Sequence, residues 1–118
     1  MKTVILGASS NPDRYSYRAL HSLLKHNHEV IAIGRKAEVV EGVPIQTGLP
    51  EVTAVDTVTL YLNPTHQQAY YAYIIAMKPR RVIFNPGTEN PGFYAQLIQH
   101  QIQVEVACTL VLLATNQY

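Results

Sequence analysis

Short β-branched runs alternate with helical patterns along the whole chain, and this alternation narrows the fold more than any other feature. The runs are Thr3-Val4-Ile5-Leu6, Glu29-Val30-Ile31-Ala32-Ile33, Thr57-Val58-Thr59-Leu60-Tyr61-Leu62, Arg81-Val82-Ile83-Phe84 and Gln103-Val104-Glu105-Val106. They are mostly continuous rather than alternating in polarity. Continuous runs suit strands covered on both faces, as in a parallel sheet. The first helical pattern carries Tyr17, Leu20, Leu23 and Leu24 three or four apart, with Asn27 as a left-handed stop. The second opens at Asn63-Pro64, with Thr65 and Gln68 as a competing capping box. Its apolar stripe is Ala69, Tyr73, Ala76 and Met77, and Pro79 bars continuation. The third opens at Asn90-Pro91 and buries Tyr94, Leu97, Ile98 and Ile102. Cys108 to Ala114 reads as a closing helix or a strand.

Between Arg35 and Val55 the pattern weakens, because Gly42, Pro44, Gly48 and Pro50 interrupt it. Leu49-Pro50-Glu51-Val52 fits one short helical turn there. The expectation is an α/β, Rossmann-like, doubly wound domain over residues 1–118. It has a parallel five-stranded sheet in the order 3-2-1-4-5, helices on both faces and right-handed crossovers. A ligand crevice would lie at the carboxyl ends of strands one and four, where the winding reverses.

Composition removes several function classes. With 47% hydrophobic and 14% charged residues the chain is too apolar for disorder. A net charge of +1 lacks the excess that a nucleic-acid grip requires. One cysteine excludes an internal disulfide framework and a Cys-rich zinc site. His21, His26, His28, His66 and His100 show no metal-ligand spacing. The apolar run at Val4-Ile5-Leu6 is too short for a signal-peptide core or a membrane span. The expected setting is therefore cytoplasmic, with no membrane, metal or nucleic acid involved.

The chemistry concentrates where the first strand meets its helix, at Gly7-Ala8-Ser9-Ser10-Asn11-Pro12-Asp13-Arg14-Tyr15-Ser16. A phosphate loop needs little side chain and free backbone N–H groups. Gly7 permits the turn, Ser9, Ser10 and Ser16 add hydroxyls, and the helix N-terminus presents its positive end. Arg14 can pair with a phosphate as a planar fork. Gly7 is the loop's only glycine, so the GxGxxG dinucleotide fingerprint is absent. After the second strand, an NAD site wants an acidic residue. Here the strand runs into Gly34-Arg35-Lys36. Basic residues suit an extra phosphate on the adenosine ribose, which coenzyme A and NADP both carry.

Gly7-Ala8-Ser9-Ser10-Asn11-Pro12 with Arg14-Tyr15-Ser16, then Asn85-Pro86-Gly87-Thr88-Glu89-Asn90, then Cys108-Thr109-Leu110-Val111, resemble the stand-alone CoA-binding domain family. These are small bacterial Rossmann-like proteins, similar to the nucleotide-binding domain of succinyl-CoA synthetase α subunits. The resemblance covers nearly the whole chain. It implies that Gly7, Ala8, Ser9 and Ser10 face the pyrophosphate, with Arg14, Tyr15 and Ser16 around it. Gly34 and Arg35 would stand at the adenosine end. Asn63, Pro64, Asn85, Pro86 and Gly87 would line the rest of the crevice. Two positions differ from the family pattern: Gly34-Arg35-Lys36 replaces an Asn-Pro pair, and His100-Gln101-Ile102 replaces a glycine before the fifth strand. The synthetase's second domain, with its phosphorylated histidine, has no counterpart, so ligase activity is not implied.

The function expected is binding of coenzyme A or acyl-CoA by a sensor or carrier without a catalytic residue. One rival is a small NADP- or CoA-dependent enzyme using Glu89 or Cys108, with its site built across a homodimer. Another is an interaction module that kept the fold and lost the ligand, its protein partner unknown. Cys108 is expected in the core, Thr109 on the crevice side of the fifth strand, and Glu89 at a helix start. Of Tyr70 and Tyr71, one is expected to be exposed, to stack an adenine or join a dimer interface.

Overall fold

The strand runs pair into one sheet, but the sheet is larger than five strands. A computed structural model describes residues 1–118. Its elements are β1 (Lys2–Ala8), α1 (Tyr15–Lys25), β2 (Glu29–Gly34), β3 (Val39–Val40), β4 (Val43–Gln46) and β5 (Thr57–Leu60). They continue with α2 (Pro64–Gln67), a 3-10 turn (Gln68–Tyr70), α3 (Tyr71–Met77), β6 (Arg81–Phe84), α4 (Pro91–Gln99), β7 (Gln103–Val106) and α5 (Thr109–Ala114). The seven strands lie in the order β3-β4-β2-β1-β5-β6-β7. All neighbours are parallel except β3 and β4, which form an antiparallel hairpin. No helix is long and apolar enough to cross a membrane.

The expected order 3-2-1-4-5 is corrected here. The run at Thr57 does not lie outside β2; it pairs with β1 on the opposite side, Val4 against Val58 and Leu6 against Leu60. The outer place beside β2 goes to β4, where Ile45 pairs with Ala32 and is 3% exposed. Gly42 and Pro44 hide β4 from any periodicity test. Pro44 is tolerated because it sits at the start of a strand that pairs with β2 only at Ile45 and Gln46.

Alternate residues of the strands feed two cores. Val4, Leu6, Val58, Leu60, Val82 and Phe84 pack beneath α3 and α4, against Ile74, Phe93 and Leu97. Ile5, Val30, Ala32 and Ile45 pack beneath α1 and α5, against Leu20, Leu23 and Leu113. Helices thus cover both faces, as the continuous apolar runs require.

Several helical details follow from local chemistry. Asn27 takes the left-handed conformation expected of a stop (φ 65°). Asn63 caps α2 through its side chain, which accepts the His66 N–H at 3.0 Å. The second helix is broken, however, by the 3-10 turn, and its buried positions are Gln67 and Ile74, while Ala69 and Ala76 are exposed. In α4 the buried pair is Phe93 and Leu97, and Ile98 is 64% exposed. Leu49-Pro50-Glu51-Val52 forms no helical turn. Within Cys108 to Ala114 the segment resolves as the helix α5, and Cys108, at the position just before it and without a side-chain cap bond, is half-buried rather than in the core.

Two substitutions test the backbone constraints. A Cβ on Gly34 would lie inside contact distance of the Ala8 carbonyl oxygen, so Gly34→Ala should lower stability by about 2 kcal/mol or more in urea unfolding. Gln101, just past α4, takes the left-handed conformation at φ 60°, a region that favours glycine. Gln101→Gly should raise stability by about 0.5–1 kcal/mol in the same assay.

Candidate functional site

At the carboxyl ends of β1, β2 and β5 the loops diverge and leave a crevice of about 970 Å³, within the size range of small-molecule sites. The crevice lies at the switch point, but its second wall is β5 and not the Arg81–Phe84 strand. Gly7 slips the β1–β2 register, so that Leu6 faces Ile33 while Ala8 faces Gly34. With φ 93° it turns the chain where a Cβ would stand 2.8 Å from the Tyr61 carbonyl oxygen.

Gly7, Ala8, Ser9 and Ser10 line the crevice, and Arg14, Tyr15 and Ser16 line it as the chain enters α1. The loop consumes part of its own donor set. The Asn11 N–H donates to Ser9 Oγ, the Asp13 N–H to Asn11 Oδ1 and the Arg14 N–H to the Asn11 carbonyl, each at 3.0 Å. The N–H groups of Ser9, Ser10, Tyr15 and Ser16 donate to no protein acceptor. Arg14 is the N-cap of α1, makes no side-chain cap, and no acidic residue follows in the first turn. A Ser, Asp or Asn at that position would stabilise the helix by ~1 kcal/mol. Without one, the positive end of an 11-residue helix opens onto the crevice.

The other walls come from three elements. Gly34 and Arg35 line the β2 side together with Lys36 and Glu38. Arg35 Nη2 reaches across to His66 Nε2 at 3.4 Å, and Ser10 Oγ donates to Glu38 Oε2 at 2.6 Å. Asn63 lines the β5 side with Tyr61 and Leu62. The Tyr61 hydroxyl is buried without a partner, and burial pushes its phenol up to about 12. Tyr70, half-buried, closes this side beside Ala69. Tyr70 was legible only as an alternative to Tyr71, and nothing in the sequence places Glu38, Ile45, Leu62, His66 or Ala69 at the site. Ile45 and Glu38 belong to the hairpin region that Gly42 and Pro44 obscure. His66 was legible only as one of five scattered histidines.

Pro64, Asn85, Pro86 and Gly87 are not brought to the crevice. Pro64 opens α2 behind Asn63. Asn85 is 1% exposed and wholly engaged within the fold. Its Nδ2 donates to Thr59 Oγ1 (2.7 Å) and to the Leu60 carbonyl (2.9 Å), and its Oδ1 accepts the Thr109 N–H (2.9 Å). Thr109 is buried in the same network through Thr59. The rest of that loop is similarly committed. Thr88 Oγ1 donates to the Asn85 carbonyl, and the Gly87 N–H donates to Glu89 Oε1. Asn90 Nδ2 donates to Gln67 Oε1 and to the Tyr71 hydroxyl, whose ring stacks on Phe93. The segment is a structural clasp between β5, β6, α2 and α4, because it continues from β6, one strand removed from the switch point. Glu89 and Cys108 also lie outside the crevice.

Comparison with known proteins bears on this arrangement. A family model described as a CoA binding domain matches residues 1–114. A crystal structure of an uncharacterized protein superposes with a TM-score of 0.97 at 46% identity, over 99% of this chain and 97% of that one. A Thermus thermophilus protein gives 0.86 at 21% identity, over 99% and 90%. A Pyrococcus horikoshii protein gives 0.81 at 23%, over 93% and 78%. The last two share the fold. None of the curated proteins matches the chain.

The division between crevice and clasp is testable. Asn85→Ala leaves the Thr109 N–H without its acceptor in a buried site, so stability should fall by about 2 kcal/mol. Differential scanning calorimetry of the protein without ligand reads this directly.

Proposed function

This chain belongs to the CoA binding domain family, and we propose that it binds coenzyme A or an acyl-CoA in the crevice beside β1, as a sensor or carrier. The observation that carries the reading is the open donor set at the start of α1. Four amides without protein acceptors and a helix end without a side-chain cap belong to residues that line one cleft. A diphosphate supplies the acceptors and the negative charge that this arrangement lacks.

In this reading Gly7 and Ala8 bring the chain against the pyrophosphate, and Ser9 and Ser10 hold it through their backbone N–H groups and hydroxyls. Arg14 lies at the helix entrance and offsets its charge. Tyr15 and Ser16 complete that end, Tyr15 with its ring under the Arg18 guanidinium at 5.3 Å. Gly34 lets the β2 end run close to the loop, and Arg35 with Lys36 receives the phosphate on the adenosine ribose. Asn63 shapes the opposite wall. The thioester or thiol end would extend out of the crevice, available to a partner.

Binding without catalysis is supported by where the candidate catalytic groups lie. Glu89 accepts the Gly87 N–H and Cys108 immediately precedes α5, and neither lines the cleft. NADP is the second reading, because Arg35 and Lys36 suit a phosphate at either ribose position.

Thermal unfolding with CoA, NADP, NAD and ADP at equal concentration tests the assignment. A ligand at ~100 times its dissociation constant adds about 2.7 kcal/mol. CoA should give the largest shift. A larger shift with NADP transfers the site to the second reading, and no shift with any of them removes the binding role. Arg14→Ala should weaken CoA binding about tenfold while leaving the unliganded melting point nearly unchanged. Loss of the fold instead would make Arg14 structural.

A further inference from the structure

We propose that Glu38 is a specificity-determining residue of the crevice and accepts a ribose hydroxyl of the bound nucleotide. This rests on the binding reading above and adds to it the feature of the ligand that Glu38 selects.

The hairpin of β3 and β4 sets the position. The Glu38 carbonyl accepts the Ile45 N–H at 2.7 Å, and Val39 and Val40 pair with Pro44 and Val43. These backbone bonds hold the residue at the crevice edge without help from its side chain. The carboxylate takes the hydroxyl of Ser10 at 2.6 Å, and both residues line the cleft. An anion therefore sits against a loop otherwise arranged to receive one. As a fold staple this bond is weak, because it is exposed to solvent.

Its chemistry makes sense as an exchange. A carboxylate in this place accepts an O–H. When a diphosphate claims the Ser10 hydroxyl, Glu38 loses its donor. The hydroxyl-bearing part of a nucleotide nearest its diphosphate is the ribose, and it returns an O–H to the carboxylate. Nucleotide-binding sheets of this kind commonly hold the ribose with an acidic residue at the end of the second strand. Here Gly34-Arg35-Lys36 occupies that place, and the carboxylate arrives four residues beyond the strand. Arg14, Arg35 and Lys36 line the same cleft and outnumber Asp13 and Glu38, so the crevice keeps its attraction for phosphate.

The test compares ADP with 2′,3′-dideoxy-ADP by isothermal titration, on the wild-type protein and on Glu38→Ala. Removing both hydroxyls avoids choosing between them. The wild type should prefer ADP by about tenfold, the effect of one charge-assisted hydrogen bond. In Glu38→Ala that preference should fall to about threefold or less, through weaker ADP binding, with dideoxy-ADP bound no more weakly than before. Glu38→Gln, which keeps an acceptor, should restore part of the preference. An unchanged preference in Glu38→Ala, an equal loss for both ligands, or no preference in the wild type would overturn the role of Glu38 and leave the crevice assignment standing. If neither ADP nor CoA binds the wild type, both fail together.

Discussion

The structure depends on how closely three backbones approach at the carboxyl end of β1. Gly7 lies against the Tyr61 carbonyl on the β5 side, and Gly34 lies against the Ala8 carbonyl on the β2 side. Any side chain at either position would push the strands apart. Their approach lets the register slip at Gly7, and the slip turns the loop toward α1. The crevice exists because main chain, not side chain, meets at its floor.

Polar networks hold the surrounding loops. On the α1 and α5 face, Asn85, Thr59 and Thr109 join β6, β5 and α5. Deeper on that face Arg81, 3% exposed, bonds Thr57 and Glu105 at 2.9 Å, and the Tyr118 ring lies 4.3 Å from its guanidinium. On the opposite face Gln67 donates to the Leu62 and Thr88 carbonyls and receives Asn90. Each bond is modest in net terms, about 1 kcal/mol, but a buried group left without its partner costs ~1–3 kcal/mol. These networks therefore specify one arrangement of the loops more than they add stability. They explain how a motif at Asn85-Pro86-Gly87-Thr88-Glu89-Asn90 can be distinctive in sequence without touching the crevice.

Much was readable from the chain alone. The five β-branched runs became β1, β2, β5, β6 and β7; in β1, β5 and β6 burial on both faces leaves an unbroken apolar signature, whereas the edge strand β7 has no fully buried residue. The caps at Asn63 and Asn90 and the stop at Asn27 were readable because each is a local bond between neighbours. So was the turn from β1 into α1 across Gly7 to Ser16. The hairpin of β3 and β4 was not readable: two- and four-residue strands interrupted by Gly42 and Pro44 carry no periodicity. Its loss moved the assumed position of the Thr57 strand and, with it, the second wall of the crevice. The broken helix was illegible for a related reason. Its buried positions include Gln67, a polar residue whose burial depends on carbonyls at Leu62 and Thr88.

By itself, then, the sequence determined the class of fold, the place where the chain presents free amides, and the ends of the principal helices. These are consequences of short-range patterns, in which a residue's role depends on neighbours three or four positions away. Tertiary structure alone decided which strand stands beside β1, which loop is clasp and which is crevice, and that Glu38 faces Ser10 from 28 residues away. Strand order and long-range side-chain contacts arise from the packing of whole elements. No local spacing encodes that packing.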